Sequence, residues 1–348
     1  MPLWSEALRL KFVTDPLYAQ HLRGVVHPER PERVEAVAAR LRSAGVLAQT
    51  LSARDASDLE IERVHTRAYL DLVERETERL ENARYLSTGD TVVDAGSYAA
   101  ARRAAGGAIA AVEAAAAGHE AIFALVRPPG HHAEPDRGMG FCLFNNVAIA
   151  SRAFQAACGG GVLIVDFDYH HGNGTEAIAG DGLSYLSTNA YPAYPGTGAA
   201  SYRRGSDVIA NVPLPPAGVS TETFVAVWEE LLPVVAAAVR PNMVVVSAGF
   251  DYVAGDEVGD LGVGAEAAIS VAAAIRRVAE EYCGGAVAYV LEGGYGLDAI
   301  AASIASIAQI HERSAAPERI TAADAIPARI REHVARVGEM VNSVPGTP

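Results

Sequence analysis

The sequence predicts an α/β fold, a mostly parallel central β-sheet flanked by helices on both faces. Three observations carry this expectation. Short apolar, β-branched runs recur along the chain, helical patterns separate most of them, and each run ends in polar, chemically capable residues. Such runs read as strands buried on both faces, and their alternation with helices implies a parallel sheet. A chain of 348 residues, half of them hydrophobic, can bury the core this needs.

The elements follow in order. "SYAAARRAAGGAIAAVEAAAAG" (97–118) reads as a helix, because alanine is the best helix former and lets a helix lie close to a sheet. The first strand, "AIFALV" (121–126), runs into "RPPGHH", where two prolines and a glycine hold a stiff turn. A helical stretch, 145–158, leads to "GVLIVDFD" (161–168) and its extension "DFDYHHGNG". "LSYLST" (183–188) ends in "STN". After a helix over 223–239, "MVVVSAG" (243–249) ends in "GFD". After another over 265–281, "AVAYVLEGG" (286–294) ends in "EGGY", and a last helix covers 297–311. Ligands of such sheets bind beyond the carboxyl ends of the strands, so these five ends are expected to line one pocket. No repeat or Pro/Ser-rich linker divides the chain, which is read as a single domain, 1–348. Its tail, 312–348, contains "ARIREHVARVGEMV", an amphipathic helix that is either solvated or docked.

The formal charge of -14 argues against direct binding to nucleic acid, whose phosphates call for Lys and Arg. Apolar stretches are broken well before the roughly 18–20 residues a bilayer span needs. The N-terminus has no clean apolar core, so no signal peptide is expected. Cys142, Cys158 and Cys283 form no CxxC pattern and no even framework, which suits a cytoplasmic location.

In an extended "DFDYH", alternate side chains share a face, so Asp166, Asp168 and His170 point one way. Carboxylates and imidazole are ligands for a divalent cation, and Asp251, closing "VVVSAGFD", is the candidate third ligand. Three protein ligands leave positions open for water and substrate. Taken alone, the segment could also be a buried hydrogen-bond cluster, the lesser of the two readings; the other loaded strand ends favour the metal site further. Zn2+ is the expected ion, with Fe2+ or Co2+ as alternatives for this donor set. His131 and His132 could take a proton from water near such a metal, or be ligands or ordinary loop residues. Tyr295, after two glycines, is either an oxyanion donor or a packed loop aromatic. Cys142 is read as packed rather than nucleophilic. His21, His65 and His119 have no ligand spacing and are assigned to the surface or loops.

Together these segments resemble the histone deacetylase superfamily, which includes bacterial deacetylases and acetylpolyamine amidohydrolases. The resemblance rests on "HPERPERVEAV" (27–37), "RPPGHHA" (127–133), "GFCLFNNVAIA" (140–150), "DFDYHHGNGT" (166–175), "YPGTG" (194–198), "SAGFD" (247–251) and "LEGGY" (291–295), and covers about residues 15–310. "HHGNG" and "LEGGY" look more like its class II branch. The resemblance implies an arginase/deacetylase-like three-layer fold and an enzyme that hydrolyses an acetylated amine amide. It implies zinc on Asp168, His170 and Asp251, His132 as general base, His131 as a second histidine backed by Asp166, and Tyr295 polarising the substrate carbonyl. Where class I has an aspartate behind the base, this chain has Asn173, which orients the imidazole without adding charge. A structural potassium ion (K+) is implied at Asp166, Asp168, His170, Ser187 and Thr188. Phe141 and Tyr194 would wall the acyl channel, and Gly140 and Gly293 would let a slim chain pass. Asp90 matches a rim aspartate that anchors substrate amides, or is a simple turn residue.

A known polyamine-acting subgroup carries glutamate seven positions after the third ligand; here that position is Val258, with Glu257 before it. Acetyl-lysine-like substrates are therefore favoured, with acetylpolyamines or a small acylated amine as the alternative. A non-catalytic acyl-ligand-binding protein and an arginase-like ureohydrolase are the rivals. A homodimer or homotetramer is left open. His171 has no assigned chemistry and is left to bond its loop.

Overall fold

The computed structural model describes residues 10–313 and 325–343. The first half contains β1 (Lys11–Val13), α1 (Glu32–Ser43), β2 (Thr50–Leu51), α2 (Asp58–Ile61), α3 (Arg67–Thr77), the hairpin strands β3 (Arg84–Tyr85) and β4 (Val92–Val93), and α4 (Ser97–Gly118). Then come β5 (Ala121–Ala124), α5 (Asn146–Cys158), β6 (Val162–Asp166), α6 (Asn173–Ile178), β7 (Leu183–Ala190), β8 (Tyr202–Arg204) and β9 (Asp207–Leu214). The chain continues through α7 (Thr221–Val239), β10 (Met243–Ala248), α8 (Ala267–Tyr282), β11 (Val287–Leu291), α9 (Leu297–His311) and α10 (Ala328–Asn342).

Nine strands form one sheet in the order β2-β1-β5-β11-β10-β6-β7-β9-β8, all parallel except β8 against β9. The five strands expected from the sequence are consecutive at its centre, β5-β11-β10-β6-β7. Because all four of their pairings are parallel, their carboxyl ends lie at one edge. Register aligns them further: Asp166 at the end of β6 sits level with Ser247 of β10 and Ser187 of β7. The convergence of the polar strand ends is thus a consequence of topology.

The four flanking strands were not anticipated. β1 and β2 hold three and two residues, too few to show a period, and β9 carries Asp207, Asn211 and Pro213 in its apolar run. The helices sort into two layers. α4 packs on α5 and along β1, β5 and β11, while α7, α8 and α9 form a row carrying α1 and α10 at its ends. Local signals start several of them: Asn145 caps α5 by accepting from Ala148 N–H, and Ser220 caps α7 from Thr223 N–H. Buried side chains from Leu10 to Val341 form one hydrophobic cluster. No helix among the described residues is long and apolar enough to cross a membrane.

The tail helix is docked. Ile330, Val334, Val337 and Val341 of α10 are buried against α7 and β9, and Arg203 donates to the carbonyls of Met340 and Val341. The rest of the tail, 314–324 and 344–348, lies outside the described residues, as do residues 1–9 of the N-terminal stretch. Val337→Asp would bury a carboxylate without a partner and should cost at least about 3 kcal/mol. Glu339→Lys on the exposed face should stay within about 0.5 kcal/mol of the parent, both read by chemical denaturation.

Candidate active site

β6 ends at Asp166, and the chain then bends rather than continuing as a strand. The bend is built by its own carboxylates: Asp166 Oδ1 accepts from Asp168 N–H (3.1 Å), and Asp168 Oδ1 from His170 N–H (2.8 Å). These local bonds of an Asp to a backbone N–H two residues on keep alternate side chains turned to one side. Asp251, following β10, arrives beside them, its Oδ1 taking Tyr169 N–H (2.9 Å) and its Oδ2 facing His170 Nδ1 (2.8 Å). One ligand atom each from Asp168, His170 and Asp251 lies within 4.8 Å of the others, and all three residues are buried. Gly293 closes the group from β11, donating its N–H to Asp168 Oδ2 at 2.8 Å.

Burial, helped by the neighbouring Asp168 charge, pushes the Asp251 carboxyl up to about 6. Burial opposes a charge on His170, but Asp251 and Asp168 outweigh it and raise the imidazole to about 9. Two buried carboxylates repelling one another across an imidazole are the electrostatic setting a divalent cation relieves, so the donor set fits one.

The two histidines after β5 occupy opposite electrostatic settings. His131 Nδ1 lies 3.1 Å from Asp166 Oδ2, which also accepts from the Tyr185 hydroxyl at 2.9 Å. Burial disfavours its charge, yet the pull of Asp168 and Asp166 raises it to about 10. A cation between the triad residues would take away Asp168's share of that pull. His132 goes the other way. Burial, with His131 and His170 as charged neighbours, holds it well below the usual histidine range. Its tautomer follows from a chain of bonds. Glu134 Oε1 can only accept, so Asn173 turns its Nδ2 to it (2.7 Å) and its Oδ1 to His132 Nδ1 (2.8 Å). His132 therefore donates from Nδ1, and Nε2 keeps its lone pair.

The triad and both histidines open into a cavity of about 440 Å³. Asp90, Gly140, Phe141, Tyr194, Val258, Gly293 and Tyr295 also line it, so every residue expected at the channel is there. Tyr194 stands edge-on to His132 (5.3 Å between ring centres), and Phe141 edge-on to Tyr295 (5.9 Å). Asp90 Oδ1 accepts from Gly140 N–H (2.8 Å) and faces the Tyr194 hydroxyl (3.3 Å). Tyr295 is buried, which raises its phenol well above 10 against the pull of Arg33, so it remains an O–H donor. Ser187 is buried and level with Asp166 across the β6–β7 ladder, and Thr188, the next residue of β7, is buried as well.

Several residues of the site were not singled out from the sequence. Glu292, fully buried, accepts from the N–H groups of Gly130 (2.6 Å) and His131 (3.1 Å), fixing the turn that presents the histidine pair. Its signal was a charge at the end of an apolar strand. In "HPERPER" the important groups are Glu29 and Arg33 as well as His27. Arg127 grips Glu29 with two bonds (2.7 and 2.6 Å), Arg33 adds a third (3.0 Å), and the Arg33 guanidinium lies 4.7 Å over the Tyr295 ring. Asp256 Oδ2 takes the N–H of Tyr295 (2.6 Å), a contact no local pattern announces. His21 and His65, expected at the surface or in loops, are 1% and 2% exposed. His65 donates from Nδ1 to Glu134 O (3.0 Å) and accepts Asn145 N–H at Nε2 (2.9 Å), bridging the loop that carries Gly140 and Phe141.

A central parallel sheet with a buried Asp-His-Asp set and a braced histidine pair at its carboxyl edge defines a pocket built around residues that could hold a metal ion. Comparison with known proteins gives the family. The histone deacetylase domain family matches residues 27–311. Histone deacetylase 15 of Arabidopsis thaliana is 38% identical over 299 residues, 82% of this chain and 52% of that protein, so this chain spans about half that relative's length. The histone deacetylase-like amidohydrolase of Pseudomonas aeruginosa is 37% identical over 280 residues, 77% of this chain and 72% of that one. The crystal structure of the HDA15 HD domain superposes with a TM-score of 0.85 at 33% identity, covering 96% of this chain and 95% of that one. The chain belongs to the histone deacetylase family, and its fold is the fold of that family.

Gly293 has no space for a side chain, since a Cβ there would meet Asp251 Oδ2 at 2.4 Å and Asp168 Oδ2 at 2.6 Å. Gly293→Ala should weaken divalent-ion binding at least about tenfold, the cost typical of disturbing ligand orientation, in a competition titration with a chromophoric chelator. Burial lowers His65 to about 4, so as pH falls from 6.5 the unfolded chain takes up this proton first. The contribution of neutral His65 is full above pH 6.5 and is lost as pH falls to about 4, on the order of 3 kcal/mol. Unfolding midpoints measured from pH 7 to 4 should therefore fall more steeply for the parent than for His65→Gln.

Proposed function

We propose that this protein is a zinc-dependent deacetylase that hydrolyses the amide of an acetylated primary amine, acetyl-lysine foremost, to free amine and acetate. The observation that carries the reading is the meeting of three functions at one cavity floor: a buried metal-binding triad, a neutral histidine with a free nitrogen, and a buried tyrosine hydroxyl.

Asp168, His170 and Asp251 would hold the divalent cation, which supplies Lewis acidity toward the acyl carbonyl and toward water. The protein's own groups do the remainder. His132 accepts the proton of the attacking water at Nε2, because Asn173 occupies Nδ1 and the surroundings keep the ring neutral beforehand. The Tyr295 hydroxyl donates to the carbonyl oxygen as it gains charge. His131, held against Asp166, contributes positive charge beside the same oxygen. The proton gained by His132 passes to the amine nitrogen as the C–N bond breaks, so nothing is left over but acetate and amine. Phe141 and Tyr194 leave a slim channel suited to an alkyl chain, and Asp90 at its mouth suits the N–H of a substrate backbone amide. A potassium ion would be held by Asp166, Asp168, His170, Ser187 and Thr188, partly through main-chain oxygens, Ser187 standing level with Asp166 across the β6–β7 ladder.

Peptide-like amides are favoured over acetylpolyamines because the side of the cavity facing an incoming chain presents Val258, while Glu257 is outside the lining, near Arg30 (3.8 Å). With zinc supplied, the purified protein should release acetate from an acetyl-lysine peptide faster than from acetylated polyamines. Tyr295→Phe should lower kcat about 10²–10³-fold, the cost of one oxyanion donor. His132→Ala should lower it about 10²–10⁴-fold, the worth of a positioned base. Activity that survives both changes overturns the assignment, and tight binding of the peptide without acetate release selects the non-catalytic alternative.

A further inference from the structure

The second histidine of the "HH" doublet turns away from the cavity. His171 is 1% exposed and absent from the cavity lining, and both ring nitrogens are engaged. Nε2 lies 2.8 Å from Glu176 Oε2, and Nδ1 lies 2.7 Å from Thr197 Oγ1. Glu176, on α6, is itself anchored: Asn211 Nδ2 donates to Oε2 (2.6 Å) and the Tyr202 hydroxyl to Oε1 (3.1 Å). A carboxylate only accepts, so Nε2–H is the donor to Glu176, and in the neutral ring Nδ1 is left to receive the Thr197 hydroxyl proton.

Thr197 lies three residues beyond Tyr194, in the turn spanning 191–198. Gly198, at φ +83, lets that turn press onto the imidazole, for a Cβ there would meet His171 Cδ2 and Cγ at 2.6 Å. The turn is largely exposed, Thr197 included, with Tyr194 at 39%, and the Tyr194 hydroxyl has only the 3.3 Å contact with Asp90 at the rim. It is tied to the body of the fold at both ends, by Tyr191 N–H to Leu214 O (2.9 Å) before Tyr194, and after it where Thr197 meets His171 and Asn189 Nδ2 donates to Gly198 O (3.3 Å).

We propose that His171 is a positioning residue that latches the 191–198 turn between Thr197 and Glu176, and thereby holds Tyr194 as a rigid wall that sets the width of the acyl channel. The doublet then divides its labour, with His170 in the metal-binding triad and His171 holding the wall. The latch rests on the deacetylase reading only for its kinetic consequence, that acetyl is preferred over longer acyl groups.

Thr197→Val tests it, since the change removes one hydroxyl at nearly constant shape and touches neither the cavity nor the triad. Amide hydrogen exchange across 191–198 should accelerate about fivefold, the factor that one lost hydrogen bond is worth. KM for an acetyl-lysine peptide should rise about as much with kcat within about twofold, and kcat/KM for a butyryl-lysine peptide should gain relative to acetyl by a similar factor. Thr197→Ser, which restores the hydroxyl, should return all three to parental values. Unchanged exchange in Thr197→Val overturns the latch. So does a loss of kcat together with zinc content, which would mean that His171 acts through His170 instead. If the parent protein turns over no acylated amine, the functional reading fails while the exchange measurement still decides the latch.

Discussion

Two carboxylates, Asp168 and Asp251, are buried against the same imidazole, and the rest of the architecture serves to make that arrangement tolerable. Charged oxygens taken out of water need donors on every side. Here the main chain supplies them: Asp168 takes the N–H groups of His170 and Gly293, and Asp251 that of Tyr169. Unpaired main-chain N–H groups of this kind are available where parallel strands end and the chain turns. The site is therefore inseparable from the carboxyl edge of the sheet, and its remaining repulsion is what prepares it for a cation.

A second, dry charge network lies behind Tyr295. Arg127 and Arg33 enclose Glu29, and Arg33 continues to the carbonyls of Glu292 and Gly294 and to the face of the Tyr295 ring. A guanidinium buried with a carboxylate in two-bond geometry fixes direction as well as charge. The N-terminal segment is thereby tied to the loop after β11, 261 residues away in sequence. Glu292 ties the same loop to the histidine turn after β5. Tyr295 and the His131–His132 pair thus sit on loops that share one frame, which keeps the three side chains in register.

What could be read from the residues depended on whether the signal was local. The five central strands show as apolar runs because both of their faces are covered, and α4 shows as an alanine-rich helix with the same bounds in sequence and structure. Asp168, His170, His131, His132, Asn173 and Asp251 were legible because strand-end polarity is a departure from an apolar run. β1, β2, β8 and β9 were not, being too short or too polar for a period to emerge. His21 and His65 were misplaced because nothing in their sequence neighbourhood announces burial; their partners, Ser97 and Asn145, lie 76 and 80 residues away. Asp256, bracing Tyr295, is likewise a matter of approach across space.

The sequence by itself determined that the five central strands exist, that their carboxyl ends carry the chemistry, and which residue types those ends bring. These are properties of short segments, set by hydrophobic pattern and by the donors each side chain owns. The tertiary structure decided the rest: that β10 and β11 insert between β5 and β6, so that Asp251 and Tyr295 meet His132 and His170. It also decided that one histidine of the pair is drawn toward charge by Asp168 and Asp166, and the other held from it by burial beside His131 and His170. Protonation and orientation depend on neighbours a few ångströms away, and only the folded chain chooses those neighbours.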